Sequence, residues 1–243
     1  MSFGVGLLTG LTSIGGAVLL TPLLVVFGVR PLIAVGTDLT CSTIMKAAGA
    51  WVHWRNSTVD FRAVAELACG SFPFGLIGAW VVTHLPRGGE FDTYVRQAIG
   101  LALGLAALVF LLRTVRGSYL WISVPIRRHM RWLTVAWGAV AGLAVGMTSI
   151  GGGSLIAPLL MLRYPFSPER AVGTDLCHAA MLALVTGLVH THFGTVDWKL
   201  AGPVLAGSLP GAFAGSYLAP RIPSRALRLS MGMCLLGTAV ALF

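Results

Sequence analysis

The sequence predicts an all-α integral membrane protein built from two homologous, inverted repeats, each a re-entrant or broken helical hairpin followed by three transmembrane helices. Three observations predict it. The chain of 243 residues is 56% hydrophobic and only 10% charged, which leaves too little polar surface for a soluble globule. Its apolar residues gather into long stretches of about the 20 residues that a bilayer requires. The first half of the chain also recurs in the second.

The apolar stretches run from Phe3 to Phe27, Leu32 to Trp54, Ala63 to Leu85, Val95 to Leu112, Leu133 to Leu162, Ala171 to His192, Leu200 to Ala219 and Ala226 to Phe243. They lack the alternating pattern of a barrel strand, and backbone in lipid must satisfy its own hydrogen bonds, so helices are expected. The N-terminus, MSFGVGLL, has no basic leader, and no cleaved signal peptide is expected. Cys41, Cys69, Cys177 and Cys234 fall inside the stretches without a C-x-x-C pair, which predicts buried free thiols and no metal site. Trp51, Trp54, Trp132, Trp137 and Trp198 lie near stretch ends, where an indole can anchor at the headgroups.

The repeat is explicit. GLTSIGGAVLLTPLL from Gly10 to Leu24 returns as GMTSIGGGSLIAPLL from Gly146 to Leu160, and AVGTDL from Ala34 to Leu39 returns from Ala171 to Leu176. His53 matches His190, Thr58 to Asp60 match Thr195 to Asp197, and Pro73 matches Pro210. The first repeat covers residues 1–118 and the second 128–243, with an Arg-rich connecting loop at 119–127. Repeats of this kind mark secondary carriers, whose sites form where the repeats meet.

Charge decides between two topologies. A net charge of +9 would suggest nucleic acid in a soluble protein, but here the basic residues occupy short loops between spans, and no nucleic-acid partner is expected. If every stretch crosses the bilayer, the loop cations divide evenly between the two sides. If the first stretch of each repeat is a hairpin, turning at Gly15-Gly16 and at Gly151-Gly152-Gly153, the division becomes asymmetric. One side then holds Arg55, Arg62, Arg113, Arg116, Arg127, Arg128, Arg131, Arg163, Arg170, Arg221, Arg225 and Arg228, and the other only Arg30, Arg87, Arg96 and Lys199. The hairpin reading obeys the positive-inside rule, inverts the repeats and puts both termini outside.

The hairpin tips are the first candidate site. Thr12, Ser13, Gly15 and Gly16 in one copy, and Thr148, Ser149, Gly151, Gly152, Gly153 and Ser154 in the other, set hydroxyls beside exposed amides. A helix restarting there presents its positive end, an anion cradle. The competing reading is close helix packing by small residues. Asp38 and Asp175, each preceded by Thr37 or Thr174, read either as caps at the start of a span or as cavity-facing groups that carry a coupling proton or cation. Lys46 stands mid-span where the second copy has Ala183; it suits a counter-ion to an anionic substrate, or snorkels, or pairs with Asp38. His53 and His190 sit near span ends, as proton relays or as backbone-bonded helix ends, with His178 and His192 nearby. Nucleotide-binding, zinc-protease and serine-hydrolase motifs are missing, so neither catalysis nor a cofactor is expected. An intramembrane enzyme using Ser13 or Ser149 with a distant histidine is the remaining catalytic alternative.

The paired G-x-T-S-I-G-G-x-x-x-x-x-P-L-L and V-G-T-D-L motifs resemble the TauE/SafE family of sulfite exporters, over essentially the whole chain. The resemblance implies a carrier of small sulfur-containing anions, such as sulfite, thiosulfate or sulfonates like sulfoacetate, exporting them across a bacterial cytoplasmic membrane. It also implies that residues 10–24 and 146–160 bind substrate, with the VGTD stretches beside them. An anion channel is the alternative within transport, and lipid-facing helices can support a homodimer.

Overall fold

The computed structural model describes residues 2–12, 15–84, 131–150 and 166–218, together with the single positions 93, 97, 101, 104, 108, 153, 156, 160, 164 and 236. Among the described residues all regular structure is helical: α1 (Ser2–Thr12), α2 (Gly15–Val26), α3 (Pro31–Arg55), α4 (Phe61–His84), α5 (Arg131–Thr148), α6 (Pro168–His192) and α7 (Trp198–Leu218). The expected spans 95–112 and 226–243 and the loop 119–127 lie outside the described residues, apart from isolated helical positions.

Local chemistry sets the helix ends. Proline opens α3 and α6, where its missing N–H costs nothing, and the Ser167 hydroxyl accepts the Arg170 N–H at the start of α6. Asp60 caps α4 by accepting the N–H groups of Arg62 and Ala63, and Asp197 caps α7 through Lys199 and Leu200. The repeated TVD is thus a helix start. The helix α2 ends in a left-handed Gly28, φ 87°, with the Val29 N–H returning to the Leu24 carbonyl.

Helix directions follow from which residues touch. Gly49 meets Leu176 while Leu39 meets Gly187, so α3 and α6 are antiparallel. Gly6 lies at Ser208 and Gly10 at Ala212, so α1 runs parallel to α7. Likewise Gly142 lies at Ser71 and Gly146 at Gly75, making α4 parallel to α5. Cys41 at Ala201 and Gly49 at Ser216 align α3 with α7. Only residues 27–30 join α2 to α3, and Thr21 bonds to Asp38, so α2 runs back against α3. Helices α1, α3 and α7 therefore point one way and α2, α4, α5 and α6 the other, which makes α1 and α2 a hairpin.

The hairpin breaks come earlier than the glycines suggested. Gly15 and Gly16 already belong to the first turn of α2, so the first break lies between Thr12 and Gly15. In the second copy α5 ends at Thr148, and the helix is broken at Ser149, a non-glycine with φ 63°. Thr148 explains why the chain breaks there: its hydroxyl donates to the Ala144 carbonyl and accepts the Ile150 N–H, closing off the helix end.

Packing uses small residues where backbones meet. A Cβ on Gly142 would collide with the Ser71 carbonyl oxygen, and one on Gly6 with that of Ser208, so only glycine permits these approaches. Leu20, Leu32, Val35, Leu39, Met45 and Leu182 fill the main core, while Ala63, Leu67, Ala141, Ile156 and Leu160 fill a second. The outer surface is apolar, with Trp51, Trp54, Trp80, Trp132, Trp137 and Trp198 all exposed. Two thiols depart from expectation: Cys69 is exposed on α4 and Cys177 is half-buried on α6, while Cys41 faces the core.

Candidate functional site

Polar side chains converge inside this apolar shell. Asp38 is fully buried and accepts three hydroxyl hydrogen bonds, from Thr21 at 2.5 Å, Ser149 at 2.8 Å and Ser42 at 2.9 Å. The donors come from α2, from the break after α5 and from α3 itself. Three O–H groups aimed at two oxygens suit a carboxylate, which only accepts.

The capping reading of the VGTD motifs fails. Helix α3 begins at Pro31 and α6 at Pro168, so Asp38 and Asp175 lie two turns inside their helices, about 10 Å from each start at 1.5 Å per residue. Because α3 and α6 are antiparallel, the two carboxylates sit near opposite ends of the bundle. Both are fully buried. Lys46 lies between them on α3, 4% exposed, and interacts electrostatically with Asp175 and with Asp38. Near it, His178 of α6 shares a 2.7 Å hydrogen bond through Nε2 with the Ser71 hydroxyl of α4. Lys46 acts electrostatically on His178 as well.

The remaining candidates stand nearer the helix ends. The Thr174 hydroxyl accepts the Asp60 N–H at 3.0 Å, and Thr37 accepts that of Asp197 at 2.9 Å. Each threonine thus ties its helix to the cap of a helix in the other half of the chain. His53 and His190 each place Nδ1 2.9 Å from the threonine five residues on, Thr58 or Thr195, whose hydroxyl also reaches the histidine's own carbonyl. The two sites differ at Nε2, which in His190 lies 3.2 Å from the Gly146 carbonyl of α5.

Of the tip residues, Ser149 reaches Asp38 and Thr148 serves the turn. Gly153 is buried and helical. Ser13, Gly151, Gly152, Ser154 and the side chain of Thr12 lie outside the described residues. Sequence reasoning missed Thr21, Ser42 and Ser71. The spacing of Ser42 four residues after Asp38 was a usable signal, since i and i+4 share a helix face. Repeat matching concealed it, because the second copy has Ala157 and Ala179 where the first has Thr21 and Ser42. An outer groove of about 620 Å³ between α4 and α6, lined by Leu76, Trp80, Leu188 and Phe193, contains none of the buried cluster.

The family model described as Sulfite exporter TauE/SafE matches residues 1–242. The chain belongs to the TauE/SafE sulfite exporter family. It is 39% identical to the probable membrane transporter protein YjnA of Bacillus subtilis, over all of this chain and 97% of that one. It is 29% identical to a probable membrane transporter protein of Xylella fastidiosa, over all of this chain and 90% of the other. No solved structure matches it. The protein is a membrane transporter of the TauE/SafE type, and its partners are a small-molecule substrate and the lipid bilayer. Among the described residues, Phe61–His84 and Glu169–His192 are long and apolar enough to cross that bilayer.

Proposed function

We propose that this TauE/SafE transporter is a secondary carrier that exports small sulfur-containing anions, such as sulfite, thiosulfate or sulfonates like sulfoacetate, across a bacterial cytoplasmic membrane. The observation that carries the reading is the Ser149 hydroxyl bonded to a buried carboxylate at a helix break. The second tip already holds an anionic group, with Thr21 assisting. A substrate oxyanion offers the same acceptors and competes with Asp38 for these hydroxyls. Asp38, Asp175 and Lys46 together sum to one negative charge when all are ionised, so an anion enters with a proton or cation that offsets the carboxylates. Asp38 and Asp175 are the groups we assign to that coupling.

The inverted two-repeat architecture belongs to the same proposal. It is supported by the antiparallel crossing of α3 and α6, which carry the same motif, and by matched contacts such as Gly6 with Ser208 and Gly142 with Ser71. Arg62 and Arg131 meet at Glu66, and Arg170 meets Asp60, gathering three of the cations assigned to the cytoplasm at one end of the bundle. Both termini then lie outside. Flux of radiolabelled sulfite, thiosulfate and sulfoacetate from proteoliposomes tests the function. Saturable efflux that speeds up when the same anion is supplied on the far side is the expected result. Flux that never saturates would make the protein a channel, and no flux of any sulfur anion would overturn the substrate class.

A further inference from the structure

We propose that Lys46, His178 and Ser71 form the subsite that grips the oxygens of the transported anion, an inference that rests on the carrier reading above. The helices α3 and α6 each have 25 residues, and Lys46 and His178 lie three and two positions from their respective midpoints. The carboxylates Asp38 and Asp175 flank them toward either end. Mid-depth between two repeats is where a carrier that opens alternately to each side holds its cargo.

Three features mark the cluster as built for a ligand. First, His178 is fully buried, yet its Nδ1 has no hydrogen-bond partner among the described residues. A buried polar atom left this way costs stability unless something else satisfies it. Second, Ser71 fixes the ring through Nε2, and Phe72 lies nearly parallel to it at 6.4 Å. With the Ser71 O–H donating to Nε2, the ring proton sits on Nδ1 and the open edge becomes a donor. Third, Lys46 is enclosed, only 4% exposed, and its charge acts on His178 as well as on Asp175 and Asp38. The cluster thus offers one open ring nitrogen and one cation at similar depth in the bundle.

The repeat shows that these groups are an addition to the scaffold. The positions matching Lys46 and His178 in the other copy are Ala183 and Cys41, while Ser71 is matched by Ser208. Close helix packing needs neither a buried lysine nor a buried histidine, because the other half packs without them. A sulfur oxyanion suits such a pair chemically, because its several oxygens can serve a cation and an N–H donor together. A halide, with a single centre and no spaced oxygens, fits less well.

The test is isothermal titration of purified protein with sulfite, thiosulfate, sulfoacetate and chloride, comparing wild type with His178→Ala, Ser71→Ala and His178→Asn. If one sulfur anion binds wild type, His178→Ala and Ser71→Ala are expected to weaken it by about tenfold or more. His178→Asn, which keeps a donor, should restore part of the affinity, and chloride should bind no variant. Binding to wild type with unchanged affinity in both alanine variants would overturn the subsite and leave the carrier reading standing. No sulfur anion binding to wild type would overturn the carrier reading and this inference with it. Should the variants fail to fold, nitrogen NMR of histidine-labelled wild type decides: the His178 Nδ1 resonance should move on saturation with the anion, and a stationary one would sink the proposal.

Discussion

The Ser149 hydroxyl donates to the Asp38 carboxylate at 2.8 Å, across 111 positions of sequence, from a backbone held at φ 63°. A left-handed non-glycine residue costs about 1–2 kcal/mol. The residue that relieves that strain, glycine, has no hydroxyl, so the two demands can be separated by substitution. Ser149→Ala keeps the strain and deletes a hydrogen bond to a charged group, an expected loss of about 1.5–3 kcal/mol. Ser149→Gly deletes the same bond but relieves the strain, and should unfold at least about 1 kcal/mol less readily than Ser149→Ala. Both should cut transport sharply if the hydroxyl handles the anion. Denaturation in detergent and proteoliposome flux measure the two effects, and wild-type flux in both variants would remove Ser149 from the site.

Lys46 and Asp175 should be energetically coupled. Each is buried, and the attraction between them is the larger of the two that act on Lys46. Removing one member of a buried charge pair costs about 3–5 kcal/mol, because the other stays buried without its counter-charge. Lys46→Met and Asp175→Asn should each destabilise strongly, while the double variant recovers part of the combined loss, with a coupling of about 0.5–3 kcal/mol. Additive losses would mean that Lys46 answers to Asp38 instead.

The fold was largely legible in the sequence because its strongest signals are repeated and local. Apolar stretches located α3, α4, α6 and α7 nearly to their ends, while the repeated TVD, noted only as a match between the halves, turned out to start α4 and α7. The break position was misplaced because glycine permits a reversal without requiring one. What ends α5 is the Thr148 hydroxyl serving both sides of the turn, and Thr is common enough in membrane helices to give no warning. The VGTD motif was half legible. Its repetition flagged Asp38, Asp175, Thr37 and Thr174, but a cap and an interior carboxylate look alike until the helix start is known. Thr21 and Ser71 were hidden for another reason: their roles come from contacts between helices, which no local spacing encodes, whereas Ser42 lies one turn from Asp38 and was passed over because the second copy has Ala179 there.

Thr37 and Thr174 offer a test of equivalence between the halves. Each hydroxyl accepts the N–H of a capping aspartate on a helix of the other half, at 2.9 and 3.0 Å. Thr→Val keeps the shape and removes the acceptor, leaving a backbone N–H unsatisfied at a cost of about 1–3 kcal/mol. Thr37→Val and Thr174→Val should therefore lower the unfolding midpoint by similar amounts. They lie near the starts of antiparallel helices and share no partner, so the double variant should be additive within about 0.5 kcal/mol. A large loss at one site and none at the other would show that the halves have diverged in how they are tied together.

The inverted arrangement makes a prediction about sidedness that charge and packing reach separately. The positive-inside count assigns Arg55, Arg62, Arg131 and Arg170 to the cytoplasm, and the ion pairs at Glu66 and Asp60 gather three of them at the end of the bundle where α3 finishes. Lys199 opens α7, which runs parallel to α3, so it belongs at the end where α3 begins. Asn56 and Lys199 are both exposed turn or helix-end positions. In a background with the native cysteines replaced, Asn56→Cys should react with a membrane-impermeant maleimide only from the cytoplasmic side, and Lys199→Cys only from outside. Exchange of the two sides would keep the fold but reverse its insertion. Labelling of both from one side would be incompatible with α3 crossing the bilayer in parallel with α7, and the inverted-repeat proposal would fall with it.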